Sequence, residues 1–495
     1  MYKILQQDLT SVDTDALVIG LFQEDKTSQG LVKELNQSLG GVIDSYLEAG
    51  DLSFEYKHIA KIFTLNLISP KRLYIVGLGD KNDITSEKVR NTFGKLFQLL
   101  QKDKIGDVAF AFDSFVTDEL ESNVVAENVM EALMMAPFQF DHYKTTGDKP
   151  NTFLPTIQII TKHEEGFIAR SLDKGLAYGR GTNLARSLVQ LPGNVLTATK
   201  LAEYAVELAN EYEMEYEILD KKDMEELGMG ALLAVNQGSD EPPKLIVLKY
   251  KGKQDWKDAV ALVGKGITFD TGGYSIKTKD GLMGMKTDMG GSAAVLGAMD
   301  TIGRLKPKKN VIAVIPATDN MISGGAFKPD DVITSLSGKT IEVRNTDAEG
   351  RLALADAITY AKRYNVSRIV DVATLTGGVI VALGDQVTGV MTNDQTFLEE
   401  VKQAASYVNE PIWQLPYLDV YKKQVRNSEV ADLNNSPGRK GHAVLAGSFV
   451  AEFAEDTPWV HLDIAGTAVS STNYDLGPKG PTGIMARTLA KLIIE

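Results

Sequence analysis

Twice along this chain, apolar runs of five to seven residues alternate with longer segments of helical periodicity, and this alternation limits the fold more than any other feature. Runs that short are read as strands, and strands that alternate with helices assemble into layered α/β domains. The first series extends to about residue 162, with strands predicted at Ala16–Phe22, Leu73–Leu78, Val108–Phe112 and Thr156–Thr161 and helices over Ser86–Leu100 and Asp118–Met135. The second predicts helix Lys200–Tyr212, strands Lys244–Tyr250 and Ala259–Val263, helix Ser292–Arg304, strand Val311–Pro316, helix Arg351–Tyr364 and strand Arg368–Ala373. Between them lie a polar stretch, Lys144–Pro155, and a helical pattern over Gly166–Leu188. At 495 residues the chain is longer than one core sustains. The expected organisation is an N-terminal α/β domain over residues 1–162, a linking helix over 163–182 and a C-terminal domain over 183–495, each domain a mixed sheet flanked by helices. Open α/β sheets place their ligand sites beyond the strand ends, so the functional site is expected at the strand ends of the C-terminal domain.

Composition removes several classes of function. The 66 acidic residues outnumber the 52 Lys and Arg, for a net charge of −14. The averaged surface field therefore repels phosphate polymers and anionic lipids, and nucleic acid is not an expected partner. With no cysteine, disulfides, thiolate metal sites and a cysteine nucleophile are impossible. No apolar run approaches the ~18 residues of a membrane span. The run Ala16–Phe22 follows Asp13 and Asp15 and lacks the basic start of a secretion signal, so a buried strand in a cytoplasmic protein is expected. No internal repeat or low-complexity segment is evident.

Three polar clusters follow apolar strands: Gly264 to Gly273, Met285 to Gly291, and Asn345 to Arg351. Each combines acid, base and glycine. In the third, Asp347, Glu349 and Arg351 are spaced by two, which in an extended segment places all three side chains on one face. Carboxylates packed that closely raise one another's pKa unless a cation neutralises them. If Asp270, Asp288, Asp347 and Glu349 meet, two divalent cations would balance their four charges. Only five histidines are available, so the donor set is oxygen-rich and compatible with zinc, manganese, magnesium or cobalt. A pair of such cations activates water at neutral pH and stabilises charge developing on a carbonyl or phosphoryl oxygen, so hydrolysis is the expected chemistry. Lys265 and Lys277 could divide two roles, one coordinating a metal and the other polarising the substrate.

The octapeptide Asn345-Thr346-Asp347-Ala348-Glu349-Gly350-Arg351-Leu352 is the signature of the leucyl aminopeptidase family of cytosolic dinuclear metallopeptidases, which this chain resembles. The resemblance continues through Asn183 to Arg186, Pro192 to Asn194, Gly264 to Lys277, Asp288 to Gly291 and Ala373 to Gly378, and is weak in the N-terminal third. It implies release of N-terminal residues, leucine and other hydrophobic ones favoured, from peptide substrates by a homohexamer. It implies two divalent metal ions, manganese or zinc, held by Lys265, Asp270, Asp288, Asp347 and Glu349, with Asp270 and Glu349 shared between them. It further implies that Lys277 polarises the scissile carbonyl, that Arg351 holds a bicarbonate ion acting as general base, and that Met285, Asn345 and Thr374 belong to the substrate pocket. The chain departs from the family pattern at Ala198, at Thr271 and in Gly441-His442-Ala443, none of them a ligand position.

Simpler readings stand beside these. Asp347 and Glu349 alone would suit a helix N-terminus, and single lysines are usually solvated. Gly77 and Gly79 lack the third glycine of a dinucleotide turn, and Gly264-Lys265 lacks the Ser or Thr of a phosphate loop. His442 and His461 read as structural histidines rather than ligands, and Met283 and Met289 as core filler. Two rivals remain: a dinuclear amidase or phosphatase using the same carboxylates, and a DNA-binding regulator on the same scaffold.

Overall fold

The computed structural model describes residues 1–25, 27–140, 143–146 and 154–494, so residues 147–153 of the polar stretch Lys144–Pro155 lie outside the described residues. Two compact units are present: Met1–Arg180 with Asn473–Pro478, and Gly181–Thr472 with Lys479–Glu495. The helical pattern expected over Gly166–Leu188 is one helix, Glu165–Gln190.

In the first unit six strands form one sheet in the order Tyr2–Leu5, Thr156–Ile160, Asp107–Ala111, Ala16–Phe22, Arg72–Gly79, Ile59–Phe63. All pairs are parallel except the last. Every residue of Ala16–Phe22 is buried, which is why this strand reads as an unbroken apolar run: both faces of the sheet are covered. Ala16 and Val18 belong to the core that includes Phe93, Phe97 and Val129 of helices Ser86–Lys102 and Ser122–Met135. Leu17, Ile19 and Leu21, turned the other way by the strand's period of two, pack with Val32, Leu35 and Ile43 of helices Gly30–Ser38 and Val42–Ala49. The helix predicted from Asp118 begins only at Ser122. There Thr117 Oγ1 accepts the Leu120 N–H at 3.0 Å, a local turn that competes with helix. Phe112, predicted to end a strand, instead opens a 3-10 turn, Phe112–Phe115.

The second unit is built on a mixed nine-stranded sheet. Its centre is a parallel block, Trp459–Asp463, Arg368–Ala373, Val260–Gly264 and Asn310–Asn320, with antiparallel strands on either side and Gly266–Asp270 added beside the far end of Asn310–Asn320. Helix Gly290–Leu305 packs on Val260–Gly264 and Arg368–Ala373. Helices Glu349–Lys362, Gly230–Asn236 and His442–Ala454 share a separate apolar core with those strands. Parallel strands all end on the same side, so the residues after Gly264 and Ala373 emerge together, and Asn310–Asn320 runs on beside Gly266–Asp270 to end level with Asp270.

Candidate metal centre

Lys265 is fixed as it leaves its strand: its N–H donates to Val372 O at 3.0 Å and its carbonyl accepts the Ser292 N–H at 2.9 Å. The side chain is 3% exposed and lies across Gly350, where a β-carbon would stand 2.3 Å from Lys265 Cε. Only glycine admits that approach. Lys265 Nζ is 2.9 and 2.8 Å from the two Asp288 oxygens, 2.9 Å from Glu349 Oε1 and 2.9 Å from Thr374 O. Asp270 closes the strand Gly266–Asp270. Its Oδ1 accepts from Gly272 N at 2.8 Å and from Asn320 Nδ2 at 2.9 Å, and its Oδ2 is 2.6 Å from Lys277 Nζ. Lys277 also pairs with Asp347. Gly272 turns with φ +83° and would meet Asp347 Oδ1 if it carried a β-carbon, so this turn too is restricted to glycine.

The backbone around the octapeptide corrects one expectation. Asp347, Glu349 and Arg351 are not on one face of an extended segment: Asn345–Ala348 is a turn, and Glu349 opens the helix Glu349–Lys362. Helical side chains two positions apart diverge by about 200°. Arg351 accordingly leaves the helix on another side, its Nη1 donating to Asn435 O at 2.6 Å and its Nη2 lying 3.5 Å from His442 Nε2, while Glu349 and Asp347 stay near enough for their charge to favour the guanidinium. What gathers the acids is tertiary structure: one oxygen each from Asp270, Asp347 and Glu349 lie within 4.8 Å of one another.

Burial and mutual repulsion make these carboxylates reluctant anions. Desolvation first, then Glu349, push Asp270 up to about 6. Asp288, buried and close to Glu349 and Asp270, is raised well above the usual range, and desolvation raises Asp347. Glu349 alone is lowered: burial opposes its charge, but Lys265 and Lys277 outweigh it. Both lysines are held protonated against burial by the same acids. Glu349 Oε2 is buried without a hydrogen-bond partner among the described residues, and Glu349 is 1% exposed. Four acids facing two ammonium groups leave an excess of negative charge, and a bare buried oxygen suits the chemistry of a hard divalent cation.

The remaining candidates fall around this cluster. Thr374 Oγ1 donates to Asp288 Oδ1 at 2.8 Å. Asn345 Oδ1 accepts the Asp347 N–H at 2.9 Å. Met285 is half-buried in the 3-10 segment Met285–Thr287, and its carbonyl accepts the Asp288 N–H at 3.3 Å. Several further contributors carry no distinguishing mark in the sequence. Thr346 Oγ1 donates to Gly272 O at 2.6 Å and accepts the Ser275 N–H at 2.8 Å. Asn435 Oδ1 accepts the Arg344 N–H at 2.8 Å while its Nδ2 donates to Asn345 O at 2.7 Å, clamping the octapeptide turn. Amides and hydroxyls of this kind are too common for spacing to single out. His442 is kept neutral, its pKa depressed to about 4 by burial and then by Arg351. Because a guanidinium only donates, Nε2 of His442 is the acceptor in their contact. His461 is bonded through Nδ1 to the carboxylate of Asp371, at 2.6 Å from Oδ1.

Comparison with known proteins bears on this arrangement. The profile of the catalytic domain of the cytosol aminopeptidase family matches residues 183–490, and that of the family's N-terminal domain matches residues 18–147. Among solved structures, a mutant of tomato leucine aminopeptidase matches with a TM-score of 0.87 at 31% identity, over 100% of this chain and 96% of its own. The bottromycin maturation enzyme BotP in complex with Mn matches with a TM-score of 0.85 at 29% identity, over 97% of this chain and 99% of its own.

Proposed function

The chain belongs to the cytosol aminopeptidase family, and from that premise we propose that it releases N-terminal residues from peptides at a centre of two divalent cations. Lys265, Asp270, Asp288, Asp347 and Glu349 would hold them, with Asp270 and Glu349 shared. One observation carries the proposal: three carboxylates converge within 4.8 Å beside the buried Lys265 and the half-buried Lys277. Manganese or zinc fits this oxygen-rich set, and the manganese complex of the bottromycin enzyme supports the former. When bound, such cations activate water for attack on a carbonyl and stabilise the charge that develops on its oxygen.

The chain's own groups supply the rest. Lys277, held protonated by Asp270 and Asp347, donates a hydrogen bond to the scissile carbonyl. Arg351 keeps its charge at neutral pH although burial lowers its pKa to about 10. Its Nε lacks a partner among the described residues, which supports a bicarbonate ion there as acceptor of the water proton. The acidic lining attracts a free amino group, and an internal peptide bond has none to offer, hence action at a chain end. Met285, Asn345 and Thr374 would border the pocket for the departing residue. The residue released is proposed to be leucine or a similar hydrophobic one. The protein is proposed to act in the cytoplasm as a homohexamer. Among the described residues, no helix is long and apolar enough to cross a membrane.

Leucine anilide and a phosphate ester, offered in parallel with manganese, separate the amide reading from the phosphatase one. The anilide is expected to turn over and the ester not. Glu349→Ala is expected to abolish turnover, and phosphate hydrolysis without amide hydrolysis would reject the assignment.

A further inference from the structure

Asn320 closes the strand Asn310–Asn320 and is completely buried. Its side-chain nitrogen donates to Asp270 Oδ1 at 2.9 Å and to Thr346 O at 3.0 Å. Carboxylate and carbonyl oxygens only accept, so this pair of contacts fixes which end of the amide faces the cluster. The other end, Asn320 Oδ1, is buried with no partner among the described residues. An unpaired buried acceptor is unfavourable, and an apolar side chain of similar volume would avoid it. The amide oxygen therefore adds nothing to stability, and the residue's contribution lies in its nitrogen.

That nitrogen joins two segments that meet only through folding. On one side is Asp270, the register partner of Asn320 on the neighbouring strand. Thr271 is held there as well, its N–H and Oγ1 both donating to Asn320 O, at 3.0 and 2.7 Å. On the other side is Thr346, next to Asp347 and three residues before Glu349. With Oδ1 of Asp270 occupied by Asn320 and Gly272, its Oδ2 is the oxygen left facing Lys277.

We propose that Asn320 is a positioning residue, which orients the Asp270 carboxylate and holds it at the spacing from Asp347 and Glu349 that a divalent cation requires. The proposal rests on the metal centre argued above. Partners of ligating groups set affinity for the ion without touching it, and removing one typically weakens binding about 10- to 100-fold.

The test is calorimetric titration of manganese into metal-stripped wild type, Asn320→Leu, which keeps the volume, and Asn320→Ala, with thermal unfolding of each stripped protein. Affinity is expected to fall about 10- to 100-fold in both variants, with each stripped variant still unfolding cooperatively, at a Tm lowered by loss of the two donated bonds. At subsaturating manganese kcat should drop, recovering as metal is added, with KM little changed. Manganese affinity within about twofold of wild type would overturn the proposal, and so would failure of both stripped variants to fold, which marks the residue as structural. Asp270→Asn in the same titration separates the two levels: undiminished affinity there means that the metal centre itself is wrongly assigned.

Discussion

At the scale of single residues, Gly350 gives the sharpest test of the packing. Glycine to alanine within a helix ordinarily gains about 1 kcal/mol. In the helix Glu349–Lys362 the new methyl would stand 2.3 Å from Lys265 Cε, so the lysine must leave Asp288 and Glu349. Gly350→Ala is therefore expected to lose activity and manganese affinity without a rise in Tm; a more stable and fully active variant would contradict the geometry. The four proposed acidic ligands were legible because their residue types recur in unusual combination inside three short clusters, whereas Lys265 was distinguished from Lys277 only by the family resemblance. Asn320, Thr346 and Asn435 were not, since their importance comes from what they touch after folding. Arg351 shows how spacing misleads: its distance from Glu349 in sequence was correct for a shared face only if the backbone was extended, and the helix turns it toward Asn435 and His442.

Among secondary-structure elements, the central strands were readable because burial on both faces makes them continuous apolar runs, as in Ala16–Phe22 and Arg368–Ala373. What sequence could not supply is the register that sets Asp371 opposite His461 on adjacent parallel strands. Asp371 binds His461 at 2.6 Å and takes the Trp459 indole N–H at 2.6 Å, with all three buried. Burial opposes the imidazolium, but Asp371 outweighs it and the His461 pKa is raised. A folded-state pKa above the unfolded value, about 6.5, contributes stability that is complete below that pH and is lost as pH rises through the folded value. His461→Gln, which leaves a buried carboxylate short of its cation, is expected to cost about 3–5 kcal/mol on the acidic side. The gap from wild type should narrow as pH rises. Melting curves across that range check this, and a pH-independent gap would contradict it.

For the whole molecule, alternation alone conveyed the two-unit α/β plan, because strand and helix patterns are local. The return of Asn473–Pro478 to the first unit left no mark in composition, since it depends on contacts such as Lys57 with Asp475 far apart in sequence. Sedimentation of the purified protein is expected to give six chains, and a stable monomer would remove the proposed assembly. The proposed activity depends on the acids and lysines beyond the central strands being a seat for divalent ions. Its most direct measurement is metal content against turnover: the protein is stripped by chelation, then reloaded with manganese in steps, and bound ions per chain are counted at each. Two ions per chain are predicted, with leucine anilide turnover absent from the stripped protein and rising with occupancy. Full turnover in folded protein free of divalent metal would contradict it.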